Sequence, residues 1–179
     1  IGWLIIFVLV VVYFSLKEIA EQNKKKLASQ FNLLTINFKT ENKQATAEQL
    51  IKIINENDDT YSPLALYFII DNDLIDNKEE IKNLFDDLIN ETTLDEEIKN
   101  LIIYKKALFI SNFSSENDLL RTLNPLINSE SIWKSHSLYL IAEFFYSKNQ
   151  KQKAKEFFNQ IILLPNANND IKMESKKRL

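Results

Sequence analysis

The sequence predicts an all-α protein, with an N-terminal transmembrane helix followed by an α-solenoid of about four helix hairpins. Three observations lead there. The 179 residues include one Gly, three Pro and no Cys, too few breakers for the many tight corners of a sheet-rich fold. Apolar residues recur at three- and four-residue steps through most of the chain, the spacing that gathers them on one face of a helix. The opening run IGWLIIFVLVVVYFSL carries no charge, as expected of a lipid-facing helix.

That run defines the first element, an anchor at 1–16. A full span needs about 20 apolar residues, and 16 residues rise roughly 24 Å along a helix. Trp3 and Tyr13-Phe14 stand near its two ends, where interfacial aromatics settle. The chain begins without Met, so further residues are expected upstream. No small-x-small site follows Tyr13, and LKEIAEQNKKKLASQF continues in helical register, which argues against a cleaved signal peptide. Residues 17–26 then read as a juxtamembrane helix or linker, and 27–179 as the repeat domain. Lys17, Lys24, Lys25 and Lys26 follow the anchor, and by the positive-inside rule they favour a cytoplasmic globular part. An upstream flank of opposite bias would reverse that, so the topology stays open at this point.

The hairpins follow in order. Lys24–Phe38 places Leu27, Phe31, Leu34 and Phe38 on one side, and its partner Ala45–Asn55 carries Ala47, Leu50, Ile51 and Ile54. The tetrapeptide Asn57-Asp58-Asp59-Thr60 breaks the pattern. A second hairpin pairs Tyr61–Ile75 with Lys78–Asn90, whose inner stripe is Ile81, Leu84, Phe85 and Leu88. Thr93, with Glu96 three residues on, is a candidate N-cap for the next helix. The third hairpin joins Leu94–Phe113 to Glu116–Asn128, and Pro125 is expected to kink or end its second helix. Asn168–Leu179 reads as a last, basic helix that caps the stack or runs on beyond the chain.

The fourth hairpin, Ser135–Pro165, is the most regular. Leu138, Ile141, Ala142 and Phe145 share one helical face, and Ala154, Phe157, Phe158, Ile161 and Ile162 share another. The polar Ser147-Lys148-Asn149-Gln150 between them folds the two faces together. This unit resembles a tetratricopeptide repeat, with Ala142, Phe145, Ala154, Phe158 and Pro165 at the signature places. It departs in two respects: Ile161 stands where a second small residue is usual, and Pro165 comes one residue early. Aligning Ile81, Leu119 and Ala154 gives steps of 38 and 35 residues, near the family period of about 34. Ala107 fills the small position of the third repeat.

An anchor, a basic juxtamembrane helix and a degenerate array of this length resemble the YfgM family of single-pass inner-membrane proteins. The stretches that carry the resemblance are TYSPLALYFIIDNDLID at 60–76, LNPLINSESIWKSHSLYLIAEFFYSK at 123–148 and QKAKEFFNQII at 152–162. The resemblance implies a periplasmic repeat domain near the SecYEG translocon and periplasmic chaperones such as the prolyl isomerase PpiD. That placement opposes the visible lysines, and the family is followed because the upstream flank is absent.

The residues themselves offer little chemistry. A net charge of −3 and a pI near 5.3 leave no general footprint for nucleic acid. His136 is the only His, and with no Cys it builds neither a zinc site nor a Cys-His pair. Gly2 is the sole Gly, which removes every Gly-rich phosphate loop. The carboxylates Asp71, Asp73, Asp86-Asp87 and Asp95-Glu96-Glu97 read as solvated helix surface and helix N-terminal charge. No catalytic residue, cofactor, metal or small-molecule substrate is therefore expected. Protein binding is the better reading, with Tyr104, Leu108, His136, Tyr139, Glu143 and Tyr146 on the concave face of the first helices of hairpins three and four. The competing reading is that Tyr104 and Tyr139 seal the junctions between repeats. The expected function is a membrane-tethered, non-catalytic scaffold. The alternatives are a cytoplasm-facing adaptor and a periplasmic assembly or cell-envelope factor.

Overall fold

With one glycine to close its turns, the chain folds as helices linked by short Asn-, Asp- and Ser-rich segments. The structure, a computed structural model, describes residues 2–179, the side chains at positions 2 and 4 excepted. The described residues form nine α-helices and no strand: α1 (Gly2–Ile36), α2 (Lys43–Ile54), α3 (Tyr61–Asp71), α4 (Lys78–Glu91), α5 (Glu96–Ile110), α6 (Glu116–Ile127), α7 (Lys134–Ser147), α8 (Lys151–Leu163) and α9 (Asn169–Lys177). They divide into two units, Ile1–Thr93 with α1 to α4 and Leu94–Leu179 with α5 to α9.

The helix starts repeat with a fixed interval. From the N-cap of each hairpin's second helix to that of the next first helix is 18 residues four times over: Asn42 to Thr60, Asn77 to Asp95, Ser115 to Trp133 and Gln150 to Asn168. The complementary step is 17 residues from Thr60 to Asn77 and from Trp133 to Gln150, and 20 from Asp95 to Ser115. The period is thus 35 residues, with three more in the hairpin that contains α5.

Packing follows the same register. Four residues past the N-cap of α2, α4, α6 and α8 stand Thr46, Ile81, Leu119 and Ala154. Eight past it are Leu50, Phe85, Leu123 and Phe158; eleven past it are Ile53, Leu88, Leu126 and Ile161. All twelve are at most 4% exposed. A spacing of four then three puts each set on one helical face, turned to the core of its unit.

Polar contacts also join groups about one period apart. In the first unit, Lys24 Nζ lies 2.6 Å from Asp59 Oδ1, and Thr92 Oγ1 lies 3.3 Å from Asn57 Oδ1. In the second unit, Ser131 Oγ donates to Glu97 Oε2 at 3.0 Å, the Asn168 N–H donates to Ser135 Oγ at 3.2 Å, and Lys153 Nζ donates to Glu116 Oε1 at 3.0 Å.

Helix ends explain the boundaries. Asn57, Asp73 and Asn149 take positive φ of 53°, 49° and 59°, the left-handed cap that glycine usually supplies and that Asn and Asp tolerate. At the ends of α3 and α7 the same closing bond recurs, Leu74 N–H to Ile69 C=O and Gln150 N–H to Phe145 C=O, both at 2.9 Å. The cap of α5 is Asp95, whose carboxylate accepts from the Glu97 N–H at 3.1 Å. Thr93, expected in that role, lies two residues before it and is not the cap. Pro125 ends α6 within two residues, at Ile127.

The first helix differs from expectation in its continuity. The divisions expected at 16/17 and 26/27 both fall inside unbroken α1. Its C-terminal part packs into the first unit: Leu27 is buried, Phe31 meets Tyr61 and Phe68 at 6.1 and 6.4 Å, and Phe38 just beyond the helix meets Phe68 at 5.5 Å. In its N-terminal part, the large apolar side chains described between Trp3 and Leu16 are 45–87% exposed. Ile1, where the expected anchor begins, lies outside the described residues. Among the described residues no helix is long and apolar enough to cross a membrane.

Candidate partner-binding surface

The six residues expected to bind partners all lie in the second unit, where they fall into two clusters and one outlier. In the first cluster, Tyr104 of α5 stacks on Trp133 at 5.5 Å with 23° between the rings. His136, one turn into α7, meets Tyr104 edge-on at 5.8 Å and Trp133 at 5.2 Å. A serine turn fixes Trp133, because its N–H donates to Ser131 Oγ at 3.1 Å while that hydroxyl donates to Glu97. Burial pushes the Tyr104 phenol up. It also pushes the His136 imidazole down, partly opposed by the nearby Ile132 carbonyl. Beside the cluster is a cleft of about 420 Å³ lined by Ile132, Trp133, His136, Leu164 and Asn168.

The second cluster forms because Tyr139, Glu143 and Tyr146 follow one another by four and three residues and so share one face of α7. All three meet Arg178, the residue that caps α9 at its C-terminus. Its Nε lies 3.1 Å from Glu143 Oε1, and its Nη2 donates to Glu143 Oε2 at 3.1 Å. Its guanidinium sits 4.9 Å over the Tyr146 ring. Burial raises the Tyr139 phenol, and the Glu143 carboxylate adds to the effect while Arg178 opposes it. The ring of Tyr139 also packs edge-on against Phe158 at 5.7 Å. Leu108, the outlier, lies on α5 and is 41% exposed.

Tyr104 thus lies where α5 meets α7, and Tyr139 where α7 meets α9. Four of the five repeat-signature residues are core: Ala142, Ala154 and Phe158 are fully buried, and Phe145 nearly so. Phe145 stacks on Phe157 at 5.6 Å. Pro165 is exposed, one residue after the C-cap Leu164.

Two residues were missed on sequence. Trp133 carries no local signal, since its importance comes from the ring of Tyr104. Arg178 lies 35 residues, one period, after Glu143, a signal that can be read only once the helix caps have fixed the period.

A further cleft, of about 460 Å³, opens between α1 and α2 and is lined by Leu27, Leu33, Leu34 and Ile53 with Lys26 and Glu56 at its rim. Among the described residues no group of three or more His, Asp or Glu side chains is placed to hold a metal ion. No protein-family model, curated protein or solved structure matches the chain.

Proposed function

We propose that this protein is a membrane-tethered scaffold of tetratricopeptide-like helix hairpins that binds other proteins and has no catalytic activity of its own. The observation that carries the reading is α1. Its first turns are apolar in sequence around the whole circumference, a pattern that needs either a protein core or lipid, and the described large apolar side chains there are 45–87% exposed. The same helix runs without a break into the first hairpin, so whatever holds the apolar end also holds the repeats. Tethering confines the hairpins near membrane-bound partners and raises their effective concentration, so that weak contacts suffice.

Protein binding is supported by the constant register of the hairpins, the α-solenoid pattern of scaffold proteins, and by side chains such as Ile132, Leu108 and Tyr146 left 39–68% exposed. The resemblance to the YfgM family points to the periplasmic face of a bacterial inner membrane, beside the translocon SecYEG and a chaperone such as PpiD. That placement rests on the resemblance alone. The cytoplasm-facing alternative draws on Lys17 and Lys24 to Lys26. Lys24 weighs less in that count, because its bond to Asp59 gives it a structural use.

The test is photo-crosslinking in cells from residues substituted at Leu108 and Tyr146, with a compartment-specific reporter fused after Leu179. Adducts to a translocon or chaperone component, with the periplasmic reporter active, are the expected result. Absence of protein adducts at both positions would overturn the scaffold reading, and an active cytoplasmic reporter would select the adaptor.

A further inference from the structure

The tenancy of one surface by Arg178 shows what chemistry that surface accepts. Glu143 Oε2 accepts from Arg178 Nη2 at 3.1 Å and Oε1 lies 3.1 Å from Nε, so the carboxylate faces the planar edge of a guanidinium, a shape that arginine has and lysine lacks. Tyr146 supplies a ring face at 4.9 Å, a cation–π contact that again suits arginine. The side chains arise from α7 alone, a helix whose other face is anchored by Leu138, Ile141, Ala142 and Phe145, all nearly inaccessible. The receptor is thus built independently of what fills it.

The occupant is much less firmly held. Whereas α3 buries five residues and α7 seven, α9 buries only Ser175. Met173, on α9, is 56% exposed. Polar contacts help to hold α9: the Asn168 N–H to Ser135, Lys172 Nζ to the Leu164 carbonyl at 3.3 Å, and Arg178 to Glu143. The last of these is exposed, and salt screens an ion pair of that kind.

We propose that the Tyr139–Glu143–Tyr146 face of α7 is a receptor for an arginine-bearing helix of a partner protein, and that α9 occupies it as a displaceable internal mimic. The inference rests on the scaffold reading and adds the partner's chemistry: a helix that carries a basic run, of which Lys176-Lys177-Arg178 is the template. A partner helix competes with α9, so the free surface is revealed only when α9 leaves.

The experiment uses the full chain in lipid nanodiscs and, as probe, a fluorescent peptide of residues 168–179, followed by anisotropy. Arg178→Ala in the chain loosens α9, and the peptide is expected to bind that variant roughly fivefold more tightly than wild type. Adding Glu143→Gln to the same chain removes the gain, as does replacing the peptide's own arginine with alanine. Circular dichroism confirms that each variant is folded. A second measurement needs no variant: in wild type, amides of α9 exchange with solvent at least tenfold faster than those of α8.

Equal peptide affinity for wild type and Arg178→Ala, or indifference to Glu143→Gln, would overturn the proposal, as would α9 amides as protected as those of α8. If those results came with partner adducts at Leu108 in cells, the receptor would fall and the scaffold would stand. Peptide binding without cellular adducts would do the reverse.

Discussion

Arg178 grips Glu143 through two 3.1 Å contacts from 35 residues further along the chain, and Asp59 meets Lys24 at the same separation. A sequence distance that recurs as a spatial contact is the mark of nearest-neighbour stacking, in which each hairpin is stabilised by the one beside it. Stability should therefore respond most strongly to the residues that repeat.

The aromatic residues eight positions past the N-caps of α4 and α8 test this. Phe85→Ala and Phe158→Ala should each destabilise the protein by about 3–5 kcal/mol, the range for a fully buried phenylalanine. Phe157→Ala, at a partly exposed position, should cost visibly less. Urea denaturation followed by circular dichroism measures the difference. Similar losses at all three positions would deny the shared register.

His136 is the only histidine, so titration of an imidazole has one source. Burial lowers its pKa below the ordinary 6.5, and the folded state therefore disfavours the proton that the unfolded chain accepts. The sign follows: stability is full above pH 6.5 and falls as pH drops from there toward the lowered value. His136→Asn should flatten the stability profile across that window. A proton NMR titration showing an imidazole pKa at or above 6.5 would contradict the placement of the ring.

The Lys24–Asp59 pair also loses its contribution on acidification, but in a lower pH range. The lysine bond holds the Asp59 carboxyl below its ordinary 3.8, so the pair's contribution is present above that value and disappears as pH falls through the lowered one. Both side chains are substantially exposed, at 45% and 58%. Asp59→Asn should accordingly cost less than about 1 kcal/mol at neutral pH, and 1 M salt should erase much of that. A loss of several kcal/mol would mean that the pair is far better shielded than its exposure indicates.

A charge in the middle of the apolar leader addresses the tether. Val10→Arg should weaken bilayer insertion by roughly 2.5–3.5 kcal/mol, and should move the protein out of a flotation gradient with vesicles. The repeats, which make no use of Val10, should melt as before. Unchanged flotation would show that the leader does not enter lipid.

Much of this organisation is legible in the residues alone. Ile81, Leu119 and Ala154, aligned by pattern, do stand at one position of successive second helices, because large apolar residues flank them at the same offsets. The first hairpin was harder, since its equivalent residue is Thr46, a polar side chain that reads as surface. The α3 terminus came four residues earlier than the apolar pattern suggested: Asp73 turns left-handed and Asn72 Nδ2 bonds back to the Phe68 carbonyl at 3.0 Å. In the candidate surface, helical spacing united Tyr139, Glu143 and Tyr146, yet it gave no warning that Arg178 fills the space between them. That contact depends on the period, which the degenerate repeats disclose only once their caps are known.

The central claim is that one helix joins a lipid-embedded leader to water-exposed repeats. Fluorophores attached singly at positions 10, 30 and 108 of the full chain in vesicles, challenged with lipid-borne and aqueous quenchers, measure it most directly. The account expects position 10 to answer only to the lipid quencher and positions 30 and 108 only to the aqueous one. Aqueous quenching at position 10 in the presence of vesicles would contradict it.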